Sequence, residues 1–210
     1  MNKVKVKICG LSRMEDILCV NALKPDFIGF VFAKSKRQVT QQQAELLKQR
    51  LDPGIKVVGV FVNASIPFIS QLVASHVIDI VQLHGDEDVT YCRALKEAVS
   101  APVIRAVRVK DKTSFCGLDE IPCDYLLFDT YTPGVYGGTG KRFDLKLGDE
   151  QYICRPYFIA GGLDADNVRE VIEGTNAFAV DVSGGVETDG VKDSEKIRKF
   201  IARVRGETND

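Results

Sequence analysis

The sequence lacks what several classes of protein require. Lysine and arginine total 28 against 29 aspartates and glutamates, so the net charge is −1 and no basic excess is available to hold a nucleic-acid backbone. Apolar runs such as residues 28–33 are far shorter than the ~20 apolar residues of a membrane-spanning helix. We therefore expect neither a nucleic-acid partner nor a membrane partner.

Cysteine is also sparse. The six cysteines are too few for a disulfide scaffold, and no two of them form a C-x-x-C pair. Histidine, cysteine and carboxylate residues do not cluster at metal-ligand spacing, so no metal site is predicted. Residues 1–7 alternate lysine with valine and lack the apolar segment of a secretory signal, which indicates a cytoplasmic protein.

Short runs rich in Val, Ile and Phe alternate with segments of helical composition. Eight strands are predicted, over residues 4–9, 27–32, 57–62, 78–83, 103–107, 125–129, 157–160 and 177–182. Helices are predicted over residues 13–23, 41–49, 66–75, 89–99, 167–173 and 195–205, with weaker helical segments at 112–117 and 144–151.

This alternation predicts parallel strands joined by helical crossovers, because parallel neighbours need long connections. Eight such units favour an α/β fold with a single (β/α)₈ TIM barrel over residues 1–206 and a frayed tail at 207–210. An open doubly wound sheet is the alternative. It would be expected to carry G-x-G-x-x-G after its first strand, and the chain has Cys9-Gly10-Leu11 there instead.

Active sites of such barrels lie at the carboxyl ends of the strands, which directs attention to Cys9 and Asp129. Cys9 ends the first predicted strand, where a thiolate of lowered pKa could act as a base; the alternative is a small buried hydrophobe, which we assign to the other five cysteines. Asp129 ends the sixth strand before a glycine-rich loop. In a covered pocket its carboxyl could stay protonated and serve as a general acid.

Glycine turns end the last two strands, at Gly161-Gly162 and at Ser183-Gly184-Gly185. The loops after strands seven and eight are the usual phosphate site of this architecture, so we expect phosphate binding there. Arg37, just past the second strand, is either part of a solvated charge cluster or a clamp for a carboxylate. His84 follows the fourth strand and is expected to line the pocket.

These residues resemble the phosphoribosylanthranilate isomerase family of tryptophan biosynthesis. The resemblance runs in order from the first strand to the eighth and covers nearly the whole chain. It is carried by Lys7-Ile8-Cys9-Gly10, Gly29-Phe30-Val31-Phe32, Ser35-Lys36-Arg37, Val58-Gly59-Val60-Phe61, Gln82-Leu83-His84-Gly85, Phe128-Asp129, Gly137-Gly138-Thr139-Gly140, Phe143-Asp144, Ala160-Gly161-Gly162-Leu163, Asp181-Val182-Ser183 and Gly185-Val186-Glu187.

The resemblance implies an Amadori rearrangement without metal or organic cofactor, on a small phosphosugar substrate and without an obligate protein partner. By family role, Asp129 matches the acid, Cys9 the base and Arg37 the residue that holds the anthranilate carboxylate. Substrate binding is expected at Arg37, His84, Gly161, Gly162, Asp181, Ser183, Gly184 and Gly185. Two positions depart from the common pattern: Gly184 replaces a frequent serine, and Leu145 a frequent tryptophan.

Two rival functions remain open on the same barrel. A histidine-pathway isomerase would share the phosphate loops but is expected to carry a carboxylate at position 9. A non-catalytic barrel that binds phosphometabolites would need neither Cys9 nor Asp129, and the chain has both.

Overall fold

The computed structural model describes residues 3–130 and 153–207. Eight parallel strands pair in chain order, and β1 also pairs with β8, so the sheet closes into a barrel. The single (β/α)₈ barrel is confirmed, and the open-sheet alternative is wrong. The strands are β1 (Lys5–Cys9), β2 (Phe27–Val31), β3 (Lys56–Phe61), β4 (Ile80–Leu83), β5 (Val103–Val109), β6 (Tyr125–Thr130), β7 (Tyr157–Ile159) and β8 (Ala179–Val182).

Six α-helices surround the barrel in the described residues. They are α1 (Met14–Leu23), α2 (Gln41–Lys48), α3 (Ile66–Ala74), α4 (Val89–Ala98), α5 (Val168–Glu173) and α6 (Ser194–Arg205). Instead of a helix over 112–117, two short 3₁₀ turns follow β5, at Lys112–Phe115 and Leu118–Glu120. The helix predicted at 144–151 lies outside the described residues, as does the expected tail beyond Glu207.

A small hairpin of β9 (Glu187–Thr188) and β10 (Val191–Lys192) stands after β8, where no strands are predicted from the sequence. β4 begins at Ile80 rather than at residue 78, because its pairing with β3 begins at Ile80. Val77 and Ile78 are buried in the core ahead of the strand. Across the described ranges, no helix has the length and apolar character needed to cross a membrane.

The core has two layers because successive residues of a strand point to opposite faces. On β3, Val57 packs with the large cluster beneath the helices, whereas Val58 belongs to a smaller cluster inside the barrel. Phe27, Ile80, Ile104, Leu127 and Phe158 also belong to that inner cluster. On β1, Val6 and Ile8 pack outward in the large cluster. The same alternation therefore turns Lys7 and Cys9 inward.

Three aspartates join neighbouring strands at the amino end of the barrel. Each precedes an even-numbered strand and accepts the backbone N–H of a valine in the preceding strand: Asp26 from Val6 (2.9 Å), Asp79 from Val57 (2.7 Å) and Asp124 from Val103 (2.7 Å). Asp79 also accepts a hydrogen bond from Lys48 Nζ at 2.7 Å. Because this end lies opposite the expected active site, we assign these contacts to stability.

We predict that Asp79→Ala destabilises the barrel by about 1–3 kcal/mol, because it leaves the Val57 N–H without its partner and removes the Lys48 contact. The free energy of unfolding in urea measures the loss. Asp79→Asn, which keeps an acceptor oxygen, is the matched control and should lose less. Equal stability of Asp79→Ala and the parent would show that these bonds do not hold β3 in place.

Candidate active site

A cavity of about 880 Å³ opens at the carboxyl ends of the barrel strands. Every site residue predicted from the sequence lines it, namely Cys9, Arg37, His84, Asp129, Gly161, Gly162, Asp181, Ser183, Gly184 and Gly185. They come from β1, the loop after β2, and the ends of β4, β6, β7 and β8. Parallel pairing brings these distant segments together, because all eight strands end on the same face of the barrel.

Cys9 lies at the base of the cavity beside a buried ion pair. Lys7, two residues earlier on the same inward face, is fully buried, and its Nζ lies 2.8 Å from Oδ2 of Asp181 on β8. The Lys7 ammonium also interacts with the Cys9 sulfur. Across from the thiol, β2 carries Gly29, where a Cβ atom would lie 2.7 Å from Cys9 Sγ. Glycine at this position therefore leaves room for the thiol.

The pKa of the Cys9 thiol is raised rather than lowered by its surroundings. Burial raises the pKa of the Cys9 thiol, and the Asp181 carboxylate acts in the same direction. The ammonium groups of Lys7 and Lys192 oppose this effect but do not outweigh it. The sequence made the base role of Cys9 conditional on a lowered pKa; burial does not supply that condition, and the neutral thiol is the main form near pH 7.

Asp129 is the next-to-last residue of β6 and is 4% exposed. Its Oδ2 lies 3.3 Å from Nε2 of His84, whereas Oδ1 has no hydrogen-bond partner in the described part of the chain. On the other side of the imidazole, His84 Nδ1 is 3.0 Å from Nε2 of Gln82. The carboxyl therefore presents one oxygen to His84, and its other oxygen has no partner among residues 3–130 and 153–207.

Arg37 is paired inside the protein. Its Nε and Nη2 donate to the two carboxylate oxygens of Glu187, at 2.6 and 2.8 Å. Lys192 Nζ donates to Glu187 Oε1 at 2.7 Å. Burial alone would raise the pKa of Glu187, but these hydrogen bonds outweigh it and lower the pKa to about 2. The alternative of a solvated charge cluster is therefore wrong for Arg37, and among the described residues its Nη1 has no hydrogen-bond partner.

The two glycine turns that line the cavity contact each other. Gly161 and Gly162 have φ of +90° and +66°, in the left-handed region that favours glycine. A Cβ atom on Gly185 would lie 1.9 Å from the backbone oxygen of Leu163, so the turns after β7 and β8 can approach only with glycine there. Backbone N–H groups at such turns can approach an anion closely.

Ser183 and Asp181 make internal contacts that the sequence did not reveal. The Ser183 hydroxyl donates to the backbone oxygen of Cys9 at 3.0 Å, and its own backbone oxygen accepts from Lys192 Nζ at 2.9 Å. Asp181 is an anion paired with Lys7, so it does not suit direct contact with a phosphate. The substrate binding predicted for Ser183 and Asp181 stays a prediction, and the backbone N–H groups of the turn suit a phosphate better than either side chain does.

Sequence reasoning missed four polar residues around the site: Lys7, Gln82, Glu187 and Lys192. The first two could have been found, because each lies two residues before a predicted site residue and so shares its inward face. Among the described residues, no group of three or more His, Cys, Asp or Glu could hold a metal ion. The loop 137–140 and Leu145, which the sequence analysis singled out, lie outside the described residues.

The fold and the cavity define a (β/α)₈-barrel enzyme equipped for proton transfer, with a thiol, a carboxyl and an imidazole at its centre. The model of the N-(5'-phosphoribosyl)anthranilate isomerase family matches residues 6–203. The chain is 49% identical over 204 residues to the N-(5'-phosphoribosyl)anthranilate isomerase of Clostridium acetobutylicum, covering 96% of this chain and 98% of that one. The chain belongs to this isomerase family.

Solved structures agree with this assignment. The phosphoribosylanthranilate isomerase of Thermotoga maritima superposes with a TM-score of 0.86 at 40% identity, over 97% of this chain and 99% of that one. A family member in complex with reduced 1-(o-carboxyphenylamino)-1-deoxyribulose 5-phosphate matches with a TM-score of 0.82 at 36% identity, with the same coverage of 97% and 99%. The similarity therefore extends over the whole barrel.

We predict that alkylation of Cys9 by iodoacetamide accelerates with pH beyond about 8.5, the pKa of an unperturbed cysteine. Only the thiolate reacts, and a raised pKa of the Cys9 thiol moves thiolate formation to higher pH. Mass spectrometry of the peptide that contains Cys9 gives the rate, and Cys9→Ser supplies the background of the other cysteines. A rate that levels off below pH 8.5 would mean that Lys7 and Lys192 outweigh burial.

Proposed function

We propose that the chain catalyses the Amadori rearrangement of N-(5′-phosphoribosyl)anthranilate to 1-(2-carboxyphenylamino)-1-deoxyribulose 5-phosphate in tryptophan biosynthesis, with Asp129 as acid and Cys9 as base. The observation that carries the proposal is that both side chains line one cavity, from strands β6 and β1, in a chain of this isomerase family. An acid that acts on the ring oxygen and a base that acts on C2′ must lie close together, because both atoms are bonded to C1′ of one sugar.

The first step opens the ribose ring. Asp129 transfers its proton to the ring oxygen as the bond from that oxygen to C1′ breaks. The electron pair of this bond goes to the oxygen, and the nitrogen lone pair forms a C=N bond, which gives an iminium ion. Asp129 Oδ1 is the oxygen suited to this transfer, because it has no partner in the described part of the protein.

The second step moves a proton from C2′. The Cys9 thiolate removes it, and the electrons of that C–H bond form a C1′–C2′ double bond as the iminium nitrogen becomes neutral. The resulting enolamine tautomerises to the ketone. Lys7 supports this step because its ammonium, held by Asp181, interacts with the sulfur and favours the thiolate. The raised pKa of the Cys9 thiol makes the thiolate the minor form, so catalysis should increase on the alkaline side.

The two anionic groups of the substrate have separate partners in this proposal. The phosphate lies against the turns at Gly161-Gly162 and at 183–185, which line the cavity. The anthranilate carboxylate meets Nη1 of Arg37, since Nε and Nη2 already serve Glu187. Glu187 thereby fixes the orientation of the guanidinium, and Lys192 offsets the negative charge that Glu187 would otherwise present to the ligand.

The two rival functions are less well supported. A barrel that only binds a phosphometabolite does not fit membership of an isomerase family. A histidine-pathway isomerase is expected to have a carboxylate at position 9, where this chain has cysteine. A cytoplasmic location and the expected lack of nucleic-acid, membrane and obligate protein partners stay predictions from the sequence.

We predict that Asp129→Asn lowers kcat at least ~100-fold, because an amide keeps the shape of the side chain but cannot transfer a proton. Affinity for the reduced product analogue should change little. Fluorescence of the anthranilate moiety follows turnover, and titration of the analogue on the same preparation gives the affinity. Cys9→Ser is the matched variant for the base. It should likewise lower kcat and leave affinity for the analogue nearly unchanged. Loss of affinity with normal kcat at saturation would make Asp129 a binding residue.

We predict that Arg37→Ala weakens substrate binding by about 1.5–3 kcal/mol, the contribution of a charged hydrogen bond, and therefore raises KM. Lys36→Ala is the matched control, because Lys36 removes the same charge from the same loop but its side chain is 59% exposed. Lys36 also lines the cavity and contacts Glu187, but at 3.4 Å and through one atom, so its variant should lose less binding free energy than Arg37→Ala. Equal effects of the two variants would show that Arg37 contributes only general positive charge.

A further inference from the structure

Gln82 is a buried polar residue to which the proposed reaction gives no role. It lies on β4, is 1% exposed and lines the cavity. A buried amide is costly unless it forms hydrogen bonds. Its Nε2 lies 3.0 Å from His84 Nδ1, whereas its Oε1 has no partner in the part of the chain that the structure describes. The contact with His84 is therefore the one that accounts for Gln82 at this position.

This contact determines which nitrogen of His84 carries the proton. An amide nitrogen can only donate, so Nδ1 of His84 must accept. A neutral imidazole has one N–H group, which then lies on Nε2. That nitrogen lies 3.3 Å from Oδ2 of Asp129, close enough for an electrostatic contact, although it forms no hydrogen bond with the described residues. Gln82 thus directs the N–H group of His84 towards the carboxyl that the proposed function uses as its acid.

An N–H group beside Oδ2 also determines where a protonated Asp129 keeps its proton. Two hydrogens cannot occupy the space between His84 Nε2 and Asp129 Oδ2, so the acid proton lies on Oδ1. This is the oxygen for which the described residues offer no partner. After the proton leaves, the same N–H group favours the carboxylate, because the positive end of its dipole lies 3.3 Å from the negative oxygen.

We propose that Gln82 is a positioning residue that holds His84 as the neutral Nε2–H tautomer, so that Asp129 keeps its transferable proton on Oδ1 and directs it to the substrate. The inference rests on the proposed function of Asp129. It adds Gln82 to Asp129 and Cys9. Unlike them, Gln82 touches neither the reacting atoms nor the proton that moves. The opposite orientation of the Gln82 amide would place the proton on Nδ1 of His84, and the experiment distinguishes the two.

The tautomer is measured directly by NMR. The chain has two histidines, His76 and His84, so long-range ¹H–¹⁵N correlations of the ¹⁵N-labelled protein at pH 7.5 resolve both rings, and His76→Gln assigns them. The expected pattern for His84 is a protonated Nε2 and an unprotonated Nδ1. A protonated Nδ1 in the parent protein would overturn the proposal. This result needs no Gln82 variant and does not depend on activity.

Two variants test the consequence for catalysis. In Gln82→Glu an ionised carboxylate can only accept and should place a proton on Nδ1, which NMR of the variant checks directly, whereas Gln82→Met keeps the shape of the side chain and removes the donor. Both should lower kcat by about 10–100-fold, as loss of an orienting hydrogen-bond partner often does, with KM changed much less. Unchanged kcat in Gln82→Met, with normal thermal unfolding, would overturn the role of Gln82.

Failure of the proposed function would look different. If Asp129→Asn keeps its kcat while His84 is the Nε2–H tautomer, then Asp129 is not the acid but the assignment of His84 stands. If Asp129→Asn loses kcat while His84 carries its proton on Nδ1, the acid is correct and the role of Gln82 is wrong.

Discussion

Pairing of β1 with β8 closes the barrel, and the arrangement of the cavity depends on that closure. In this pairing Lys7 lies opposite Asp181, and the two side chains meet inside the barrel at 2.8 Å. Each charge is buried and needs the other, because an unpaired buried ion costs several kcal/mol. The pair lies directly below Cys9, so the contact that satisfies two charges at the seam of the barrel also sets the surroundings of the thiol.

Charge alternates along this side of the cavity. Asp181 and Glu187 are the anions, and Lys7, Lys192 and Arg37 are the cations that hold them. One consequence is that neither anion acts as an unpaired charge towards a substrate that carries a phosphate and a carboxylate. The thiol lies among these groups with its pKa raised by burial, and the cations limit that rise. Elsewhere in the cavity, His84 lies between the Asp129 carboxyl at 3.3 Å and the Gln82 amide at 3.0 Å.

The barrel was predictable because its signals are local. Each strand is a short apolar run. Even β4, which begins two residues later than predicted, lies within its predicted range. The hairpin of β9 and β10 was not predictable, since each strand has two residues. Glu187 lies on the first and Lys192 on the second. Cys9 and Asp129 were predictable from their positions at strand ends. The partners of Arg37 were not, because an ion pair between residues 150 positions apart leaves no mark in the local sequence.

Gln82 and Lys7 are intermediate cases. Strand alternation places both inside the barrel, but it does not say whether a buried amide or ammonium contacts a catalytic group. Each residue contacts a neighbour two positions along the chain, but its partners on other strands, such as Asp181 for Lys7, depend on the register, which packing of the whole barrel fixes. The direction of the pKa shift of Cys9 is likewise a balance between burial and neighbouring charges, and the sequence contains neither quantity.

The most direct test of this account is a crystal structure of the protein with the reduced product analogue bound. The account predicts the phosphate against the glycine turns after β7 and β8, and the carboxylate on Arg37 Nη1. The sugar oxygen that derives from the opened ring should lie within hydrogen-bond reach of Asp129 Oδ1, about 2.6–3.2 Å, with C2′ facing Cys9 Sγ. A phosphate bound at Arg37, with the sugar turned away from Asp129, would contradict it.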